Sequence, residues 1–187
     1  MIKATSMQHS PDSVLAFWFE EISPQQWWEK SPTFDHEIAQ RFGALHTAAS
    51  NCELFSWRET THGRLAEIIV LDQFSRNIYR GHAKAFASDP LALALGQTAV
   101  AVHADRELEV KQRAFLYMPF MHSESPVVHA VAMTLFDQPG MEDNLAFERK
   151  HKDIIDQFGR FPHRNDILGR PSTPEEVAFL KTPGSSF

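Results

Sequence analysis

Ser31-Pro32-Thr33-Phe34-Asp35-His36-Glu37-Ile38-Ala39-Gln40-Arg41-Phe42-Gly43-Ala44-Leu45 decides the fold class of this chain. Serine before proline is a helix start: the hydroxyl caps free N–H groups, and proline gives up only an N–H that had no partner. Phe34, Ile38, Phe42 and Leu45 follow at spacings of four, four and three, one apolar stripe at the helical period. The device recurs. Ser10-Pro11-Asp12 precedes Val14, Leu15, Phe17, Trp18 and Ile22, and Asp89-Pro90 precedes Leu91, Leu95 and Val102. Ser125-Pro126 and Thr173-Pro174-Glu175-Glu176 repeat it again. Residues 63–78 and 107–121 carry helical apolar spacing as well, and a tract from about 142 to 158 stops at Gly159. The apolar runs 66–71 and 127–135 lack the alternation of strands and are rich in Ala, Met and Glu, which favours helix. The pattern predicts an all-α chain, a multi-helix antiparallel array of about seven to nine helices joined by short loops. It reads as a single helical domain over residues 1–187, with flexible tails at about 1–9 and 182–187.

Bulk composition agrees and excludes several classes of function. At 187 residues, 43% hydrophobic and 22% charged, the chain is long and apolar enough for one buried core and is not a disordered sequence. A net charge of -6 leaves no basic excess to neutralise phosphates, which argues against a nucleic-acid partner. Cys52 is the single cysteine, so no internal disulfide or cysteine-based zinc site is expected, and a buried thiol is. Residues 1–10 hold no apolar run, and no apolar stretch approaches the ~20 residues that span a bilayer. The expectation is a cytoplasmic protein with no membrane partner. Fifteen phenylalanines imply a thick core, and ten histidines supply titratable groups.

Three short tracts carry polar residues that helix packing does not explain. The first is Leu71-Asp72-Gln73-Phe74-Ser75-Arg76-Asn77-Ile78-Tyr79-Arg80-Gly81, where Asp72 and Arg76 can pair one helical turn apart at the end of an apolar run. The second is Met121-His122-Ser123-Glu124-Ser125, where a helix end and a helix start meet. Capping accounts for these residues, and so does an acid–base pair facing a cleft. The third is Gly159-Arg160-Phe161-Pro162-His163-Arg164-Asn165 with Leu168-Gly169-Arg170, the one locally basic stretch in an acidic protein. Arginine suits bidentate binding of carboxylate or phosphate, although these arginines could equally tie their own loop to helix carbonyls or to Asp72 and Glu124. His151 lies on the helix before this loop and can reach the same place. No phosphate-cradling glycine loop, nucleophile elbow or zinc-protease histidine pair is present.

The same three tracts carry a resemblance. Leu71-Asp72-Gln73-Phe74-x-Arg76-Asn77-Ile78-Tyr79-Arg80-Gly81 is followed by Phe115-x-Tyr117-Met118-Pro119-Phe120-x-His122-Ser123-Glu124. The third part is Phe158-Gly159-Arg160-Phe161-Pro162-His163-Arg164-Asn165-x-x-Leu168-Gly169-Arg170-x-Ser172-Thr173-x-Glu175-Glu176. Together they resemble the bacterial family known as domain of unknown function 924, over nearly the whole chain. The resemblance implies an all-helical, TPR-like superhelical fold and no particular reaction. Its polar signature falls on Asp72, Gln73, Arg76, Asn77, Arg80, His122, Ser123, Glu124, His163, Arg164 and Asn165. Ser75 stands where the family pattern usually has proline, so the helix is expected to run differently there.

Two functions remain open on the sequence. One is an enzyme or small-molecule binder in which Arg76, Arg164 and Arg160 hold a small anionic ligand or substrate. His122 or His163 then titrates, oriented by Glu124 or Asp72, and Gln73, Asn77, Arg80, Ser123, His151 and Asn165 line the site. Glu–His pairs would suit a divalent metal, but no spacing demands one, and the cofactor is open. The other is a helical interaction module whose polar groove binds a peptide or holds the helices in register. Convergence of the three tracts on one enclosed pocket favours the first, and mutual bonding without a cavity favours a structural network.

Overall fold

Each proline-marked start begins a helix. The computed structural model describes residues 9–186; residues 1–8 and Phe187, where parts of the expected flexible tails fall, lie outside the described residues. Ser10 and Ser13 close a reciprocal capping box at the head of α1 (Pro11–Ala16), which widens into a π turn at Phe17–Glu21. Ser31 caps α2 (Pro32–Ser50), and Phe34, Ile38, Phe42 and Leu45 are all buried, as their spacing requires. α3 (Thr61–Ile69) passes through a second π turn, Val70–Phe74, into α4 (Ser75–Ile78), so the expected helix over residues 63–78 is one continuous path. α5 (Asp89–Ala101) has Asp89 and Pro90 in its first turn behind Ser88. α6 (Val110–Met121), α7 (Pro126–Phe136), α8 (Glu142–Phe158) and α9 (Pro174–Phe179) complete the order. Gly159 ends α8 at φ 69°, the left-handed geometry that glycine adopts at least cost. No strand occurs among the described residues; the fold is all-α.

The core is built around α3, which packs against α1, α5 and α6. Aromatic rings fill it: Phe17 lies 4.9 Å from Phe42, Phe42 lies 4.8 Å from Phe74, and Trp18 meets Phe74 and Phe115 edge-on. The C-terminal half is sequential, α6 on α7 and α7 on α8. Ile154, Ile155 and Phe161, with Phe158 and Phe179 against them, form a second, smaller apolar cluster under α9.

Two local features depart from the sequence pattern. Cys52 is exposed, not buried; it lies just past α2, where the chain turns through a positive φ of 60°. Ser75 shows what happens where the family pattern has proline: its hydroxyl donates to the Leu71 carbonyl at 2.6 Å, inside the widened turn. No helix among the described residues is long and apolar enough to cross a membrane.

Candidate functional site

Asp72 sits in the π turn between α3 and α4 and is 1% exposed. Its Oδ1 lies 2.8 Å from Nδ1 of His122, the residue that ends α6. The same oxygen is 3.0 Å from an Arg76 nitrogen, and Gln73 donates to Oδ2 at 2.8 Å. Burial alone would raise the Asp72 carboxyl. Arg76 and His122 outweigh burial and hold it below its usual value, so it is ionised. An ionised carboxylate only accepts, so Nδ1 of His122 carries the hydrogen. Burial, with Arg76 adding to it, lowers the His122 pKa against the pull of Asp72, so the ring is neutral at neutral pH. Nε2 therefore presents a lone pair. It has no hydrogen-bond partner among the described residues, and the imidazole is 16% exposed. A carboxylate behind one ring nitrogen and an open lone pair on the other is the geometry of a general base.

Two arginines flank this pair, and both meet Asp89 at the head of α5. Arg76 grips Asp89 with both terminal nitrogens at 3.0 and 3.1 Å and also donates to the Asp72 carbonyl. Arg164 donates to the His122 carbonyl at 3.0 Å but reaches Asp89 only at 3.4 Å. Its guanidinium carbon lies 4.6 Å from the ring centres of both Phe86 and Phe161. Its Nε–H is buried without a partner. Burial, and next the neighbouring Arg76, lower the Arg164 pKa to about 10. Arg164 is thus a buried cation with too little negative charge near it, whereas Asp72 and Asp89 hold Arg76 above its ordinary value despite burial.

His163 lies beside Phe161, with ring centres 5.6 Å apart, and burial followed by Arg164 pushes its pKa to about 4. His151 donates Nδ1–H to the Phe147 carbonyl at 2.8 Å, and burial takes its pKa to about 3. Ser123 contributes its carbonyl, which accepts from His129.

The other expected residues serve elsewhere. Glu124 does not orient His122. It accepts from the Phe161 backbone at 2.8 Å and from both terminal nitrogens of Arg170 at 2.6 and 2.9 Å. Asn77 and Arg80 converge on Asp35 of α2, tying α4 to it. Arg160 forks onto Glu176 at 2.7 and 2.8 Å, and Asn165 bridges Ser172, Glu176 and Arg170. These bonds hold the loop after α8 onto α9. A depression of about 510 Å³ lies beside them, lined by Gln157, Phe158, Arg160, Thr173, Glu175 and Glu176, and includes none of His122, Arg76 or Arg164. Among the described residues, no group of three or more His, Cys, Asp and Glu side chains is arranged to hold a metal ion. Sequence reasoning missed Asp89, whose place in a helix first turn reads as a partner for the helix dipole.

Residues of the three tracts thus meet at one end of α6. The family described as bacterial protein of unknown function (DUF924) matches residues 14–184. This chain belongs to that family. A solved structure, a protein of unknown function, ATU0120, from Agrobacterium tumefaciens, is 38% identical with a TM-score of 0.87. The match covers 91% of this chain and 96% of that one. No curated protein matches. The polar residues that carry the resemblance thus split in space: Asp72, Arg76, His122 and Arg164 form the polar centre, while Asn77, Arg80, Glu124 and Asn165 act as ties around it.

Proposed function

We propose that this protein binds a small anionic ligand or substrate beside His122, within the cytoplasm, with His122 taking up or giving a proton at Nε2. The observation that carries this reading is the Asp72–His122 pair, whose outer ring nitrogen is open, set beside a buried Arg164 with an unused N–H. The mutual bonding of these groups would by itself suit a structural network, but such networks ordinarily satisfy their members. Here the cation is under-neutralised, and an added carboxylate or phosphate oxygen would relieve it. The imidazole is fixed in one tautomer before any ligand arrives, which is the preorganisation that acid–base work needs. A second reading, a helical interaction module, is supported by a different place: an apolar groove of about 270 Å³ along α5, α6 and α7, where Val127 and Val131 are exposed.

Thermal unfolding in the presence of inorganic phosphate, acetate or succinate separates the two. A ligand at tenfold its dissociation constant stabilises the folded chain by about 1.4 kcal/mol, roughly 3–5 °C for a chain of this size. The wild type should show such a shift with at least one of these anions. Arg164→Lys, which keeps the charge and loses the fork, and His122→Gln should lose it. Equal shifts in all three proteins, or none at millimolar anion, would leave the cluster a structural network.

A further inference from the structure

Behind the turn that carries His122, α7 and α8 meet through a wholly buried pair, His129 and Glu148. Nδ1 of His129 is 2.7 Å from Glu148 Oε1, and Nε2 is 2.8 Å from the Ser123 carbonyl oxygen. A carbonyl oxygen can only accept, so Nε2 carries a hydrogen. Nδ1 and Oε1 then need a hydrogen between them, because two lone pairs at that distance repel. A neutral imidazole beside a carboxylate has one hydrogen too few for both contacts. We infer that His129 and Glu148 hold one shared extra proton at neutral pH, and that this proton positions His122 by fixing the Ser123 turn.

The proton has two equivalent placements. Either an imidazolium faces a carboxylate, or a neutral Nε2–H imidazole accepts from a carboxylic acid. Both satisfy the two contacts and have the same proton count. The second oxygen of Glu148 is buried without a partner, a costly site for full negative charge. Burial also pushes the Glu148 carboxyl upward, against the pull of His129 and Lys152.

The surrounding titratable groups do not compete for the proton. His151 on α8 is held near 3 and His163 on the following loop near 4, each mainly by burial. His122 at the end of α6 is lowered by burial and Arg76. Lys152 of α8 pairs outward with Asp156, and Glu124 is engaged by Arg170. The Phe161 ring, its centre 6.1 Å from that of His129 and inclined at 75° to it, closes the apolar side.

Loss of the proton sets a lone pair against a lone pair at one of the two contacts. When the bond to Ser123 is the one that breaks, the turn is released, and with it the backbone whose His122 carbonyl accepts from Arg164. Above about pH 6.5 an unfolded chain carries a neutral histidine and an ionised glutamate. The folded chain holds one proton more, so its stability falls as pH rises, by up to tenfold in the folding equilibrium per unit, until the pair releases the proton. This inference concerns the pose of His122 and does not rest on the anion-site reading.

Glu148→Gln is the test. The carboxamide donates to Nδ1, and Nε2–H still donates to Ser123, so both contacts survive without the extra proton. Denaturant unfolding would be followed from about pH 7 to 9. The wild type should lose stability relative to Glu148→Gln as pH rises, and parallel profiles overturn the shared proton. NMR of the wild-type His129 ring nitrogens and Glu148 carboxyl near pH 7 gives an answer even if the variant does not fold. An imidazolium, or a neutral ring beside a carboxylic acid, supports the inference; a neutral ring beside a carboxylate overturns it. For positioning, the His122 ring resonances should move with the wild-type titration and stay still in Glu148→Gln. Identical behaviour in both overturns that half.

Discussion

Replacing Glu124 by alanine removes the acceptor that anchors the loop after α8 to the end of α6. Its carboxylate takes the Phe161 N–H at 2.8 Å and a two-pronged bond from Arg170. Phe161 is fully buried, so its N–H would be left without an acceptor, at a cost of about 1–3 kcal/mol. The Arg170 pair is about a quarter exposed on both sides, so solvent screening limits its share to about 1 kcal/mol. A loss of about 3 kcal/mol follows, which lowers the melting temperature by roughly 6–12 °C for a chain of this length. The pH dependence has a definite sign. Burial would raise the Glu124 carboxyl, but Arg170 and the Phe161 N–H outweigh it and hold the pKa below its usual value. Its contribution is therefore complete above the unfolded carboxyl pKa of about 4.3 and disappears as pH falls through the folded value. Calorimetry of wild type and Glu124→Ala at neutral pH and through acid should show a large gap that narrows on acidification. A variant within about 2 °C of wild type at neutral pH, or a gap constant through acid, would refute the clamp and return Glu124 to the candidate ligand site.

Two further expectations test the packing. Tyr117→Phe removes the hydroxyl that donates to Asp105 at 2.6 Å, leaving a buried carboxylate whose other oxygen already has no partner; chemical denaturation should report a loss of about 2–3 kcal/mol. Gly63→Ala places a Cβ 2.0 Å from the Trp57 carbonyl oxygen, so backbone must move and about 1–3 kcal/mol should be lost, while Gly43→Ala, with nothing within 4 Å, should be neutral or gain up to about 1 kcal/mol.

The helices were legible because their signals are local. Proline and its preceding cap set the starts of α1, α2 and α9, proline without a side-chain cap set that of α7, and Gly159 set the stop of α8. Asp89 shows the limit of one residue: with Ser88 before it, the aspartate is already inside the helix. The π turns were not legible, since a widened turn keeps an apolar run apolar and merely rotates the next turn of helix. At the site, the Asp72–Arg76 pair could be read one turn apart on one helix. The Asp72–His122 contact spans 50 residues and arises from how α3 and α6 cross, which no spacing encodes. The sequence offers either Glu124 or Asp72 to orient His122 and cannot choose between them; Asp72 is the one in contact, because successive residues in a turn point in different directions and Glu124 faces Phe161. The pairing of His129 with Glu148 is not legible either, because the two lie 19 residues apart on different helices, where one inward polar residue looks like a lapse in the stripe.

The separate apolar cluster under α9 bears on how this protein comes apart. Ile154, Ile155 and Phe161 are too few to secure residues 159–179, which are fastened largely by arginine forks onto Glu124 and Glu176. Salt weakens such fasteners far more than it weakens the phenylalanine-rich interior around α3. The segment that supplies Arg164 is therefore expected to open at a lower free energy than the helices around α3. The polar centre would then assemble and disperse with ionic strength, on a different schedule from the global melting of the chain.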